Sequence, residues 1–256
     1  MIMLKDIAVK MGSKTLLQIP ELSIPGGKVT VVIGPNGAGK STFLKLLAGL
    51  ISDYRGEVLL FGLRLSEWTP KKLARSRAML SQHYSLPFPM PVRDLVTLGR
   101  YPHTPTTKET EIIDEVMTEL EITSLQHRNV HTLSGGEQQR MHMARVLLQL
   151  HDEEGPRSKL LLLDEPVSSL DLMHQQTLLK IARRCAEKGY TVVIVLHDVN
   201  LAIQYADHFL VLKKGQLVTS TSILCPKLLS EVFEIPMHRL DDHQQARHYF
   251  FTSVVR

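Results

Sequence analysis

The residues best suited to chemistry are Gly34-Pro35-Asn36-Gly37-Ala38-Gly39-Lys40-Ser41-Thr42, which match the spacing G-x-x-x-x-G-K-[ST] in full. The flanks fit. An apolar β-branched run over residues 29–33 precedes the loop, and a helix-like run over 43–47 follows it. Such a loop cradles phosphate. Glycines let backbone N–H groups crowd around phosphate oxygens, and the start of the following helix adds partial positive charge. Lys40 can reach the β- and γ-phosphates, and the Ser41 hydroxyl can ligate Mg²⁺.

Three more apolar strands end on polar groups of use to phosphate chemistry, and ligands of open α/β sheets bind off the carboxyl ends of strands. Residues 160–163 run into Asp164 and Glu165. Asp164 fits the Mg²⁺-linked aspartate at such a strand end, and Glu165 can polarise an attacking water. Residues 191–196 end on His197, which can donate to a γ-phosphate, and residues 78–81 end on Gln82, a neutral group that can reach Mg²⁺ or the water. A second glycine-bearing loop, Leu133-Ser134-Gly135-Gly136-Glu137, opens a helix. Ser134 and Glu137 have capping-box spacing, and the same helix start can serve as a second anion site.

These side chains need a scaffold. Residues 1 to about 28 read as short strands with turns at 12–14 and 25–27. Residues 57–61 and 77–81 are strand-like, with a short helix start at 70–75 between them. Pro87, Pro89 and Pro91 at alternate positions predict an extended segment. From 92 to about 150 the pattern is helical, with Ile112, Ile113, Val116, Met117 and Leu120 at three- and four-residue spacings. Residues 151–159 form a polar loop, after which strands and helices alternate: a helix at 171–188, strands at 191–196, 208–212 and 216–219, a helix at 227–233 and a strand at 247–255. Alternation of this kind predicts a mostly parallel sheet with helices on both faces.

Bulk properties bound the function. With 256 residues and 43% hydrophobic residues, the chain can build one large domain or a core with an inserted subdomain. A net charge of +4, dispersed along the chain, does not form the basic stripe that nucleic acid requires. Cys185 and Cys225 make no C-x-x-C pair, which predicts neither a disulfide framework nor a zinc site and favours a reducing compartment. His238, His243 and His248 are expected to be surface residues rather than metal ligands. The apolar runs are too short to span a bilayer, and the start of the chain does not read as a signal peptide.

The loop at 34–42, Gln82, Leu133 to Glu137, residues 160–165, Ser169-Leu170-Asp171 and His197 stand in an order that resembles the ATPase subunits of ABC transporters, over essentially the whole chain. The resemblance implies a phosphate-loop NTPase (RecA-like) α/β core with an N-terminal antiparallel β subdomain and an inserted α-helical subdomain. The core would comprise 1–85 and 155–256, and the insert 86–154. ATP and Mg²⁺ are the implied cofactors. Each ATP would lie between residues 34–42 of one subunit and Ser134, Gly135 and Gly136 of the other, in a head-to-tail homodimer. Glu165, His197 and Gln82 would carry catalysis; Ser41, Gln82 and Asp164 would surround Mg²⁺; Asp171 would lie at the subunit contact. Met11 stands where the family usually stacks an aromatic ring on adenine. A thioether packs on a base less specifically, so base selectivity is expected to be looser.

The implied partners are two copies of an integral-membrane permease, docked on the helical insert, and indirectly a periplasmic substrate-binding protein. The implied location is the cytoplasmic face of the bacterial inner membrane. Residues 87–103 resemble the ATPases of bacterial iron-chelate and cobalamin importers, and the polar loop at 151–159 is similar to an insertion in haemin-import ATPases. Haemin is therefore the expected cargo, ahead of a ferric siderophore or cobalamin. A soluble ABC ATPase acting on nucleic acid or a cytosolic assembly is the reading from another class; the chain has no long coiled-coil insert and no second ATPase half to favour it.

Overall fold

The structure is a computed structural model that describes residues 1–82, 88–152, 158–242 and 247–252. The first half contains β1 (Ile2–Met11), β2 (Lys14–Ile24), β3 (Val29–Ile33), α1 (Lys40–Leu47), β4 (Arg55–Leu60), β5 (Leu63–Arg64), α2 (Pro70–Ser76) and β6 (Arg77–Leu80). Then come α3 (Val92–Thr97), α4 (Glu109–Glu119) and α5 (Gly135–Leu150), linked by short 3₁₀ turns. The last part contains β7 (Leu160–Asp164), α6 (Leu172–Glu187), β8 (Thr191–Val195), α7 (Val199–Tyr205), β9 (His208–Lys213), β10 (Gln216–Thr221), α8 (Pro226–Phe233), β11 (Met237–Asp242) and β12 (Arg247–Thr252).

Among the described residues, ten strands form one sheet in the order β5-β4-β1-β2-β10-β9-β3-β8-β7-β6. The ladder from β9 through β3, β8 and β7 to β6 is parallel. The β5, β4, β1 and β2 side is antiparallel. The two halves join at β10, which pairs antiparallel with β9 and, through Gln216 and Gln18, parallel with β2. The first two strands are long, at 10 and 11 residues, where short ones were expected. Their length is hidden in the sequence because the apolar alternation changes phase. Ile2 and Leu4 face the core, then Ile7 and Val9 do, and Asp6 between them takes φ 51° to absorb the extra residue.

The parallel strands are apolar throughout because both faces are covered. Val31 and Ile33 of β3, Leu161 and Leu163 of β7, and Val192 and Ile194 of β8 join one core with α5 and α6. Val32, Leu160, Leu162, Val193 and Val195 face the other core, under Phe43, Leu44, Leu46 and Leu47 of α1. The strand ends are thereby held rigidly at one edge of the sheet.

The helical stretch follows the predicted periodicity, and Ile112, Ile113, Met117 and Leu120 are buried. α5 reaches back to the core, where Gln149 Nε2 donates to the carbonyls of Ala74 (2.9 Å) and Arg77 (3.0 Å). Pro91 caps α3 in extended conformation, whereas Pro87 lies outside the described residues. So does most of the polar loop, residues 153–157. At the end of the chain β12 pairs with β11, a strand that the sequence pattern did not announce. His238 and His248 lie on this hairpin, and His243 and residues 253–256 lie outside the described residues. Among the described residues, no helix is long and apolar enough to cross a membrane.

Candidate functional site

The phosphate-type loop leaves β3 at Gly34 and enters α1 at Lys40. Two of its glycines are dictated by geometry. At Gly34, with φ +152°, a Cβ would lie 2.1 Å from the Leu212 carbonyl oxygen of β9. Gly39 is the residue before α1, with φ +99°, and its Cβ would lie 2.9 Å from the Leu16 carbonyl oxygen. The loop is threaded between β9 and the β1–β2 hairpin with no room for side chains there. The Gly215 N–H, from the turn between β9 and β10, donates to the Ala38 carbonyl at 3.0 Å and braces the loop from below.

The Lys40 ammonium curls back over the loop and donates to the carbonyls of Gly34 (2.7 Å) and Pro35 (3.0 Å). Burial lowers its pKa, and the carboxylates of Glu165 and Asp164 pull it back up. Ser41 Oγ donates to Asp164 Oδ1 at 3.3 Å, so the helix start meets the end of β7. Asp164 is buried, and that burial raises its pKa; the Ser41 bond and the cations Lys45 and Lys40 act the other way, while Glu165 adds to the rise.

Glu165 stands at the junction of three strand ends. Gln82 Nε2, beyond β6, donates to Glu165 Oε2 at 2.6 Å, and His197 Nε2, beyond β8, meets Glu165 Oε1. That His197 contact with a carboxylate places the ring proton on Nε2. Glu165 itself has φ +51°, a strained value for a residue with a side chain.

These groups open on one cleft of about 940 Å³, lined by residues 36–42, Gln82, Glu165 and His197. Sequence reasoning missed part of its wall. Lys14, Thr15 and Leu16 from the first hairpin, with Lys214 and Gly215, complete the lining. Their signal was weak: a Lys-Gly turn after an apolar strand is common, and only the sheet order brings it beside the loop. Met11 is exposed at the end of β1, paired with Lys14, and is not among the lining residues.

Ser134, Gly135 and Gly136 lie apart from that cleft. Ser134 caps α5 in a reciprocal box: its Oγ accepts the Glu137 N–H at 3.3 Å, and Glu137 Oε2 accepts the Ser134 N–H at 2.7 Å. Gly136 packs on the loop after Glu165, with a built Cβ 3.3 Å from the Ser169 carbonyl oxygen. Asp171 caps α6, accepting the His174 N–H at 2.9 Å. One chain therefore assembles the cleft with Glu165 in its wall, while Gly34, Pro35 and Asp164 are not among the lining residues, and it presents the second glycine helix elsewhere.

Residues 17–168 match the family model described as ABC transporter. The chain belongs to the ABC transporter family. It is an ATP-hydrolysing transport subunit, and the family's nucleotide is ATP. It is 43% identical over 232 residues to the hemin import ATP-binding protein HmuV of Rhodopseudomonas palustris (strain BisB5), covering 88% of this chain and 87% of that one. It is 43% identical over 234 residues to the protein of the same name from Vibrio parahaemolyticus, covering 90% of this chain and 89% of that one. Among solved structures, the dimeric form of MJ0796, a bacterial ABC transporter cassette, is 25% identical with a TM-score of 0.75, covering 88% of this chain and all of that one (100%).

Proposed function

We propose that this chain powers the import of haemin through a separate membrane permease, by closing as a dimer on ATP and opening after hydrolysis. One observation carries the dimer: the cleft and the Ser134-Gly135-Gly136 helix start are separate on a single chain. Two copies arranged head to tail would bring the two halves together around each nucleotide. The dimeric likeness supports that arrangement, and the relatives named for hemin import support the cargo.

In this reading residues 34–42 hold the phosphates, and Lys40 exchanges its carbonyl partners for phosphate oxygens. Ser41, Asp164 and Gln82 would hold Mg²⁺. The donor set fits, because this ion takes one or two carboxylates together with substrate phosphates rather than a full protein cage. When bound, Mg²⁺ supplies charge neutralisation on the β- and γ-oxygens. Glu165 orients and polarises the attacking water, and His197 donates from Nε2 toward the γ-phosphate. Ser134 and the N–H groups of Gly135 and Gly136 grip that phosphate from the partner copy. Closure is then a two-state element biased by the ligand, and cleavage removes the bridge. Met11, exposed at the end of β1 and paired with Lys14 of the cleft wall, would pack beside the base.

The insert over 86–154 docks on two permease copies, which places the chain peripherally on the cytoplasmic face of the inner membrane. A substrate-binding protein acts from the other side. The experiment is co-purification with the permease in vesicles, followed by ATP turnover with binding proteins loaded with haemin, a ferric siderophore or cobalamin. Stimulation by the haemin-loaded protein alone is the expected result; stimulation only by another cargo overturns the assignment of haemin.

A further inference from the structure

The loop after Glu165 is strapped to α5. Gln139 Nε2, on the second turn of α5, donates to the Pro166 carbonyl at 3.0 Å. Gln175 Nε2, on α6, donates to the carbonyls of Val167 (3.2 Å) and Leu170 (3.0 Å). Beside these, Arg140 Nη1 of α5 meets His174 Nε2 of α6, and His174 Nδ1 meets Asp171 Oδ1 at 2.8 Å. The Glu121 carboxylate stands 3.9 Å from both Arg140 Nη1 and His174 Nε2.

Donor chemistry fixes the state of this ring. A guanidinium only donates, so His174 Nε2 must present its lone pair to Arg140. The proton then sits on Nδ1 and points at Asp171, which also accepts the His174 backbone N–H. The His174 ring therefore hangs between a cation on the helix of Ser134 and a carboxylate at the end of the Glu165 loop. The second turn of the helix and the far end of the loop are tied by one side chain.

We propose that His174 is a positioning residue that makes the Glu165 loop and the Ser134 helix move as one body, so that each chain's hydrolysis site is coupled to the anion grip it lends its partner. This rests on the two-chain reading above. The requirement is specific: one acceptor toward Arg140 and one donor toward Asp171. A glutamine meets it and a leucine does not.

The test uses the full chain carrying Glu165→Gln, with dimerisation in MgATP measured by sedimentation. His174→Leu is expected to weaken dimerisation about tenfold, the scale of one lost charge-assisted hydrogen bond at a partly exposed site. His174→Gln is expected to stay within about twofold of the parent, and both are expected to bind ATP as single chains as the parent does. Equal dimerisation of parent and His174→Leu overturns the proposal, as does a His174→Gln variant as weak as His174→Leu. A parent that never dimerises refutes the two-chain reading instead. The relay is then read on the single chain by ¹⁵N resonance of the His174 ring: a proton on Nδ1 supports it, and a proton on Nε2 overturns it.

Discussion

Glu165→Gln should separate catalysis from folding in this chain. Glu165 accepts from Gln82 at 2.6 Å and meets His197, and its carboxylate lines the cleft. Glutamine keeps its length and its φ of +51°, so the backbone strain is common to both states and cancels. Its carbonyl oxygen can accept from Gln82, and its amide can donate to His197 after a change of ring tautomer. Exchanging charge-assisted bonds for neutral ones costs about 1 kcal/mol. Against that, Asp164 loses a like-charged neighbour that helps to raise its pKa. Stability should therefore change by less than about 1 kcal/mol. Water activation has no such compensation. Losing a preorganised group of this kind costs about 3 kcal/mol of barrier, a slowing of about a hundredfold or more. Single-turnover hydrolysis of labelled ATP, alongside ATP affinity and thermal unfolding, checks all three quantities. Hydrolysis within about threefold of the parent would remove Glu165 from its role, since that is far below the loss of one active-site donor. A loss of affinity equal to the loss of rate would refute the reasoning as well.

The remaining predictions probe the cradle, the base and the fold. Lys40→Ala should weaken ATP binding about tenfold or more, the scale of a hydrogen bond to a charged group, as read by titration calorimetry. Gly34→Ala places a methyl 2.1 Å from a backbone oxygen, and thermal unfolding should show a loss of at least about 2 kcal/mol. Met11→Tyr should tighten ATP relative to GTP in competition binding, because a ring stacks on a base more selectively than a thioether. His142 is buried in α5, and burial holds its pKa down to about 3. The folded state therefore refuses a proton that the unfolded chain takes below about pH 6.5, so stability is present above that pH and falls as the pH drops toward 3. Between pH 7.5 and 5 this one group accounts for about 2 kcal/mol, and His142→Gln should flatten the denaturation midpoint over that window.

Much of the cleft was legible because its chemistry is local. Residues 34–42 carry their own spacing, and Asp164, Glu165, His197 and Gln82 each end an apolar run whose burial on both faces makes the strand unmistakable. The structure brings Gln82, Glu165 and His197 into contact, and Ser41 onto Asp164. The antiparallel half was less legible. Its strand length is masked by the phase change at Asp6, and Gly56 comes to lie against the Lys5 and Asp6 carbonyls of that irregularity only in three dimensions. Lys14 and Lys214 belong to ordinary turns until the sheet order β2-β10-β9-β3 sets them beside the loop. β11 escaped notice because Met237–Asp242 is largely exposed and alternates poorly. The Asp171–His174 half of the relay has the i,i+3 spacing of a helix cap, but its Arg140 half has no sequence signal, because Arg140 reaches His174 only through the packing of α5 against α6.

The most direct test of the account is the solution mass of the Glu165→Gln chain by light scattering. With MgATP the 28.9 kDa chain should double in mass, and with MgADP it should not. Adding Ser134→Arg should return it to a single chain while ATP remains bound. A chain that stays single in MgATP, or a dimer that persists unchanged with Ser134→Arg, would contradict a nucleotide shared between two copies.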